Sequence, residues 1–150
     1  MNGVGVIPFG ERLESVFAAY GHLCLGIDPH ASLLAEWGQP DSAEGVREFC
    51  LRAVEAAADK IGIVKPQVAF FERHGAAGYA VLERVLREAR DAGLLVIADA
   101  KRGDIGSTAR AYASAFLEPA AATASRSSAV TFFSGFLREW YMVVAIAIGV

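Results

Sequence analysis

Leu94-Leu95-Val96-Ile97-Ala98 runs directly into Asp99-Ala100-Lys101-Arg102-Gly103-Asp104, and this junction decides the fold. Five aliphatic residues in a row read as a strand buried on both faces, the habit of a parallel sheet. Two acids and a lysine then crowd the strand end. Charges in such a place are costly unless they serve one another or a ligand. Gly103 gives the chain freedom to turn, and Ser107 to Leu117 reads as the next helix.

Outward from this junction, strands and helices alternate. Leu13, Val16, Phe17 and Tyr20 give helical spacing over Glu11 to Tyr20, and Gly21 can close that helix. Leu23 to Ile27 reads as a buried strand ending at Asp28-Pro29, and Ala31 to Trp37 as a short helix. Asp41-Ser42-Ala43-Glu44 has the form of a capping box opening a helix to about Asp59, with Val46, Phe49, Ala53, Val54 and Ala57 as its core stripe. Ile61 to Val64 is the next strand, ending at Lys65-Pro66, and a helical turn covers Phe70 to Arg73. A helix over Ala76 to Ala92 is expected to bury Tyr79, Leu82, Val85, Leu86 and Ala89. A repeat of roughly 35 residues per strand–helix unit implies parallel strands joined by right-handed crossovers.

Beyond Pro119, Ala120 to Ser125 and Ser128 to Phe133 compete as a fourth strand. Gly135 to Trp140 has the look of a helix start, and Val143 to Val150 of a final strand.

In parallel α/β folds, ligands gather at the carboxyl ends of the strands. The three clear strands end in Asp28, Lys65 and Asp99/Lys101, so the unusual polar residues fall on one rim. Singly, each has an ordinary reading: Asp28 as a turn residue, Lys65 as an exposed strand end, Asp99, Lys101 and Asp104 as a self-satisfied ion network. Together they read as an electrostatic site. An ammonium flanked by carboxylates stays charged and can give its proton to a carbanion.

Composition narrows the class. The 150 residues suffice for one ordinary core, and 54% apolar with 21% charged residues fits a globular chain. A net charge of -3 offers no basic surface for nucleic acid. Charged runs such as Glu83-Arg84 and Arg87-Glu88 read as solvated helix faces. Cys24 and Cys50 read as buried, reduced thiols of a cytoplasmic protein. The first residues show no basic stretch followed by an apolar one, so no secretion signal is expected, and the apolar Tyr141 to Val150 is too short to span a bilayer as a helix. His22, His30 and His74 lack metal-ligand spacing; His74 before Gly75 fits a helix carboxyl end. Phe70 and Phe71 read as core.

Three motifs in this order carry a resemblance. "LLVIADAKRGDIGSTA" (94–109) resembles the signature of orotidine 5'-phosphate decarboxylases. "LCLGIDP" (23–29) and "GIVKPQVAFFERHG" (62–75) resemble the first two strand ends of its longer-chain subfamily, common in actinobacteria. The resemblance covers about residues 8 to 117. It implies an α/β fold of the (β/α)8 TIM-barrel type and a homodimeric lyase needing neither metal nor organic cofactor. The reaction it implies converts orotidine 5'-phosphate to uridine 5'-phosphate (UMP) in the last step of de novo pyrimidine biosynthesis. Carried over, Lys101 is the proton donor to C6 of the pyrimidine and Asp99 faces the substrate carboxylate. Asp104 reaches the partner subunit's site with Ile105 and Thr108 beside it. Lys65 binds the ribose and holds the charged array, and Asp28 binds a ribose hydroxyl.

A complete barrel of this kind needs about 250 residues. About four strand–helix units are expected here, as a single incomplete domain over 1–150 whose segment 118–150 is diverged, frameshifted or truncated. Catalysis is therefore expected to be impaired. The alternatives are a non-catalytic half-barrel that pairs or binds, and a magnesium-dependent sugar-phosphate lyase of the same superfamily. The magnesium enzymes bring an acid where Lys65 stands.

Overall fold

The computed structural model describes residues 7–102, 104–117, 130–134 and 144–148. Its elements run α1 (Phe9–Tyr20), β1 (Cys24–Ile27), α2 (Ala31–Glu36), α3 (Ala43–Ala57), β2 (Ile63–Pro66), α4 (Ala69–Glu72), α5 (Gly75–Asp91), β3 (Leu95–Asp99), α6 (Gly106–Leu117), β4 (Val130–Ser134) and β5 (Val144–Ile148). One five-stranded sheet has the order β1-β2-β3-β5-β4.

Strands β1, β2 and β3 are parallel, with Cys24 opposite Ile63 and Ile63 opposite Leu95. Successive strand side chains point to opposite faces. Leu25, Ile27, Val64, Val96 and Ala98 therefore share one face, which α3 and α5 cover. Val46, Cys50 and Val54 of α3 and Val81, Leu82 and Val85 of α5 pack into that cluster, together with Phe71 of α4. Each large side chain fully buried there contributes about 1.5–3 kcal/mol. On the other face, α1 covers only the amino-terminal end, packing Phe9, Leu13, Val16 and Phe17 on Ile63, Leu95 and Ile97.

Local chemistry explains the helix limits. The Ser42 hydroxyl accepts the Gly45 N–H at 3.3 Å, so the cap of α3 is Ser42 and not the Asp41 that would lead the expected capping box. Gly78 is needed for contact rather than for a turn. A Cβ there would lie 1.8 Å from the Phe71 carbonyl oxygen, so its absence lets α5 sit against α4. On the outer surface of α5, Arg87 pairs with Glu83 and Arg84 with Glu88, as a solvated face should.

Several expectations need correction. β2 lies two residues later than read, because Lys65 and Pro66 continue the ladder opposite Gly26 and Ile27. Tyr79 is 45% exposed, and its hydroxyl donates to Glu72 Oε1 at 2.5 Å instead of entering the core. Leu23 is 62% exposed, and Cys24 is exposed too, because β1 is an edge strand here. His74 is two residues past the last of the short α4 and is at the same time the residue that opens the longer α5, so it joins two helices where one helix end was expected.

The fourth and fifth strands depart from the parallel pattern. β5 runs antiparallel to β3, with Asp99 opposite Ala145, and β4 runs antiparallel to β5. Strand β4 thus keeps the direction of β3, but β5 folds back between them. Of the two competing fourth strands, the one at Ser128 to Phe133 overlaps β4, and the expected final strand contains β5. The candidate strand at 120–125, the candidate helix start at 135–140 and Gly103 lie outside the described residues. The parallel trio with its helices is a partial α/β barrel.

Candidate active site

The face left open above α1 carries the charges. Lys65 is two residues beyond Ile63 and therefore on the same face; Gln67 is two beyond Lys65. Asp99 follows Leu95 and Ile97 on the matching face of β3, and Gln67 bridges Asp99. Continuing the β1–β2 register puts Asp28 level with Gln67. The carboxyl ends of the three parallel strands thus present a row, Asp28–Gln67–Asp99, above a row containing Gly26 and Lys65.

Backbone hydrogen bonds set that rim. The Gln67 N–H donates to the Ile27 carbonyl and the Val68 N–H to the Asp99 carbonyl, each at 3.1 Å. The chain turns at once after Asp28, where the His30 N–H donates to the Asp28 carbonyl at 2.8 Å.

Asp99 is the hub. Its side chain is only 12% exposed, and its Oδ2 accepts from Lys101 Nζ at 2.5 Å and from Lys65 Nζ at 3.4 Å. Lys101 Nζ also donates to Gln67 Oε1 at 2.8 Å. Asp99 Oδ1 and Asp28 Oδ1 are buried without a hydrogen-bond partner among the described residues. A buried acceptor left unpaired is expensive, so these two oxygens mark places where a ligand donor would be welcome.

Lys101 has φ +46°, an uncommon backbone for a side-chain-bearing residue. Strain of this kind persists only where the surroundings hold it, and it gathers at working sites. The next residue supplies the hold. Arg102 Nη1 donates to the Ala100 carbonyl at 2.9 Å, Arg102 pairs with Glu72 of α4, and its guanidinium lies 5.8 Å from the Tyr112 ring centre of α6. Glu72 in turn accepts from Tyr79 of α5.

The structure brings Asp28, Lys65, Asp99 and Lys101 to one rim, and leaves Asp104, Ile105 and Thr108 exposed on the turn into α6. Asp104 Oδ1 accepts the Ile105 N–H at 2.7 Å, and Ile105 is 86% exposed. Gln67 was not singled out from sequence, although its two-residue spacing from Lys65 was there to find it. Arg102 and Glu72 are thirty residues apart and gave no local signal.

Cys24 opens β1 opposite Ile63, on the face that carries Lys65. Partial desolvation pushes this exposed thiol up, and the positive charge of Lys65 pulls it partly back. No group of three or more His, Cys, Asp or Glu side chains suited to a metal ion occurs among the described residues, and none of their helices is long and apolar enough to cross a membrane.

Comparisons with known proteins show which family the chain resembles. Residues 21–134 match the family model of the orotidine 5'-phosphate decarboxylase / HUMPS family. A curated orotidine 5'-phosphate decarboxylase of Nocardioides sp. is 54% identical over 131 residues, 87% of this chain and 48% of that protein. A Streptomyces avermitilis crystal structure described as an orotidine 5'-phosphate decarboxylase superposes with a TM-score of 0.74 at 55% identity, covering 78% of this chain and 41% of that one. The Leishmania donovani enzyme gives 0.61 at 37% identity, covering 73% and 40%. The chain spans about half the length of the curated relatives it matches. With its charged strand ends on one rim and a match over most of its length, the chain belongs to the orotidine 5'-phosphate decarboxylase / HUMPS family.

Proposed function

We propose that this chain carries the charged half of a site that decarboxylates orotidine 5'-phosphate to uridine 5'-phosphate, a step of pyrimidine biosynthesis. One observation supports it above the rest: two ammonium groups share one nearly buried carboxylate oxygen, beside two buried acceptors that lack donors among the described residues.

In this reading, the bond from C6 to the carboxylate breaks, carbon dioxide leaves, and the electron pair stays on C6. Lys101 stabilises that carbanion and then gives it a proton, becoming a neutral amine. Asp99 faces the departing carboxylate, Lys65 binds the ribose and holds Asp99, and Asp28 accepts from a ribose hydroxyl. The exposed Asp104, Ile105 and Thr108 suit the second subunit of a homodimer, where Asp104 completes the partner's site. Lys65 at the end of β2 argues against the magnesium-dependent sugar-phosphate lyases, since an ammonium there repels a dication.

Barrels of this class hold phosphate in the loops after strands 7 and 8. The described elements include no counterpart, so slow turnover by the 150-residue chain is part of the proposal. Exposed Leu23 on the β1 edge and exposed Ile105 favour a second reading, a half-barrel that pairs without catalysing.

The test is uridine 5'-phosphate formation by the purified chain. Turnover above the uncatalysed rate, falling at least about a hundredfold in Lys101→Ala, supports the first reading. No turnover with a stable dimer supports the second.

A further inference from the structure

Lys65 and Lys101 lean on the same oxygen, Asp99 Oδ2. Two like charges on one acceptor repel each other, and the side chain of Lys101 is 54% exposed, free to swing into water. A single carboxylate oxygen does not fix a flexible ammonium with three donors. The third group at that point is Gln67, whose Oε1 accepts from Lys101 Nζ at 2.8 Å across the β2–β3 gap.

We propose that Gln67 is a positioning residue for Lys101: its neutral amide oxygen shares the ammonium with Asp99 and holds it away from Lys65. This rests on the decarboxylase reading only in assigning Lys101 a reaction to perform. Neutrality is the point of the choice. An acid at 67 would grip the ammonium more tightly and add a charge facing an anionic substrate; an apolar residue would release the lysine to solvent. Gln67 supplies direction at modest strength. Its backbone is pinned independently by the Ile27 carbonyl, so the side chain can change without undoing the strand end.

The chain contains three lysines, Lys60, Lys65 and Lys101, and Lys60 is exposed beyond α3. Trace acetylation of the whole chain by an N-hydroxysuccinimide ester, read by peptide mass spectrometry, therefore reports each one separately. In Gln67→Met, acetylation of Lys101 should rise about threefold relative to Lys60, with Lys65 unchanged. In Gln67→Glu it should fall below wild type, because a charged acceptor binds more strongly. A merely structural defect cannot move the two variants in opposite directions. Unchanged Lys101 labelling in Gln67→Met, a uniform rise of all three lysines, or a rise in both variants would overturn the proposal. Turnover forms a separate arm: where the wild-type chain converts orotidine 5'-phosphate, Gln67→Met should lower kcat about tenfold and leave KM within about twofold. A wild-type chain with no turnover counts against the decarboxylase reading, and the labelling result still decides the role of Gln67.

Discussion

The two faces of the β1–β3 sheet differ in what they hold. On the face under α3 and α5, every inward position is apolar: Val64, Val96 and Ala98 meet Val46, Val54 and Val85, and Phe71 is fully buried. On the opposite face only the amino-terminal end is covered, by α1, and the carboxyl end is given to Lys65, Gln67, Asp99 and Lys101. One strand supplies both faces by alternation, so β3 contributes Val96 to the core and Asp99 to the site within four residues. Apolar packing is concentrated on the first face and the charged groups on the rim of the second.

Substitutions can break that division. The largest effect should come from Phe71→Ala, which empties a fully buried ring position and costs about 3–5 kcal/mol of unfolding free energy in denaturant titration. Gly78→Ala should follow. Its new Cβ would strike the Phe71 carbonyl and force α5 off α4, at about 1–3 kcal/mol. Ser42→Ala removes the hydroxyl that caps α3 and should cost about 1 kcal/mol. On the other face, Lys65→Met should change stability by no more than about 1 kcal/mol, since its ion pair is part-exposed. A rim substitution as damaging as Phe71→Ala would erase the distinction between the faces.

The cysteines sharpen the same contrast without changing the fold. Cys50 is buried in the apolar cluster, and burial pushes its thiol up to about 12; Cys24 is exposed at the open β1 edge. At pH 8, iodoacetamide should alkylate Cys24 and leave Cys50 unreacted in the folded chain. The Cys50 thiol is raised from an ordinary 9.0, so it favours the folded state below pH 9. That contribution is lost as pH rises from about 9 towards about 12.

Much of this was legible in the sequence for a definite reason. The run Leu94 to Ala98 and the apolar spacing of α3 and α5 report burial directly, and parallel strands turn strand ends into a shared rim. What stayed hidden was non-local. Val144 to Ile148 declares a strand but not its direction, which pairing with β3 and β4 determines. Edge exposure of Leu23 and Cys24 depends on having no neighbour beyond β1 among the described strands. Tyr79 occupies a helical position consistent with the core, yet its hydroxyl finds Glu72 at the surface. Gln67 was within reach of period-two counting from Lys65. The Arg102–Glu72 pair was not, because only the folded chain brings them together.

The central claim is that Asp99 holds both rim lysines at once. Competitive acetylation of Asp99→Asn tests it most directly, with Lys60 as the internal reference. Lys101 labelling should rise about fivefold and Lys65 labelling about twofold, in keeping with their 2.5 and 3.4 Å contacts, while the fold persists. Labelling of both lysines at wild-type rates would contradict the account.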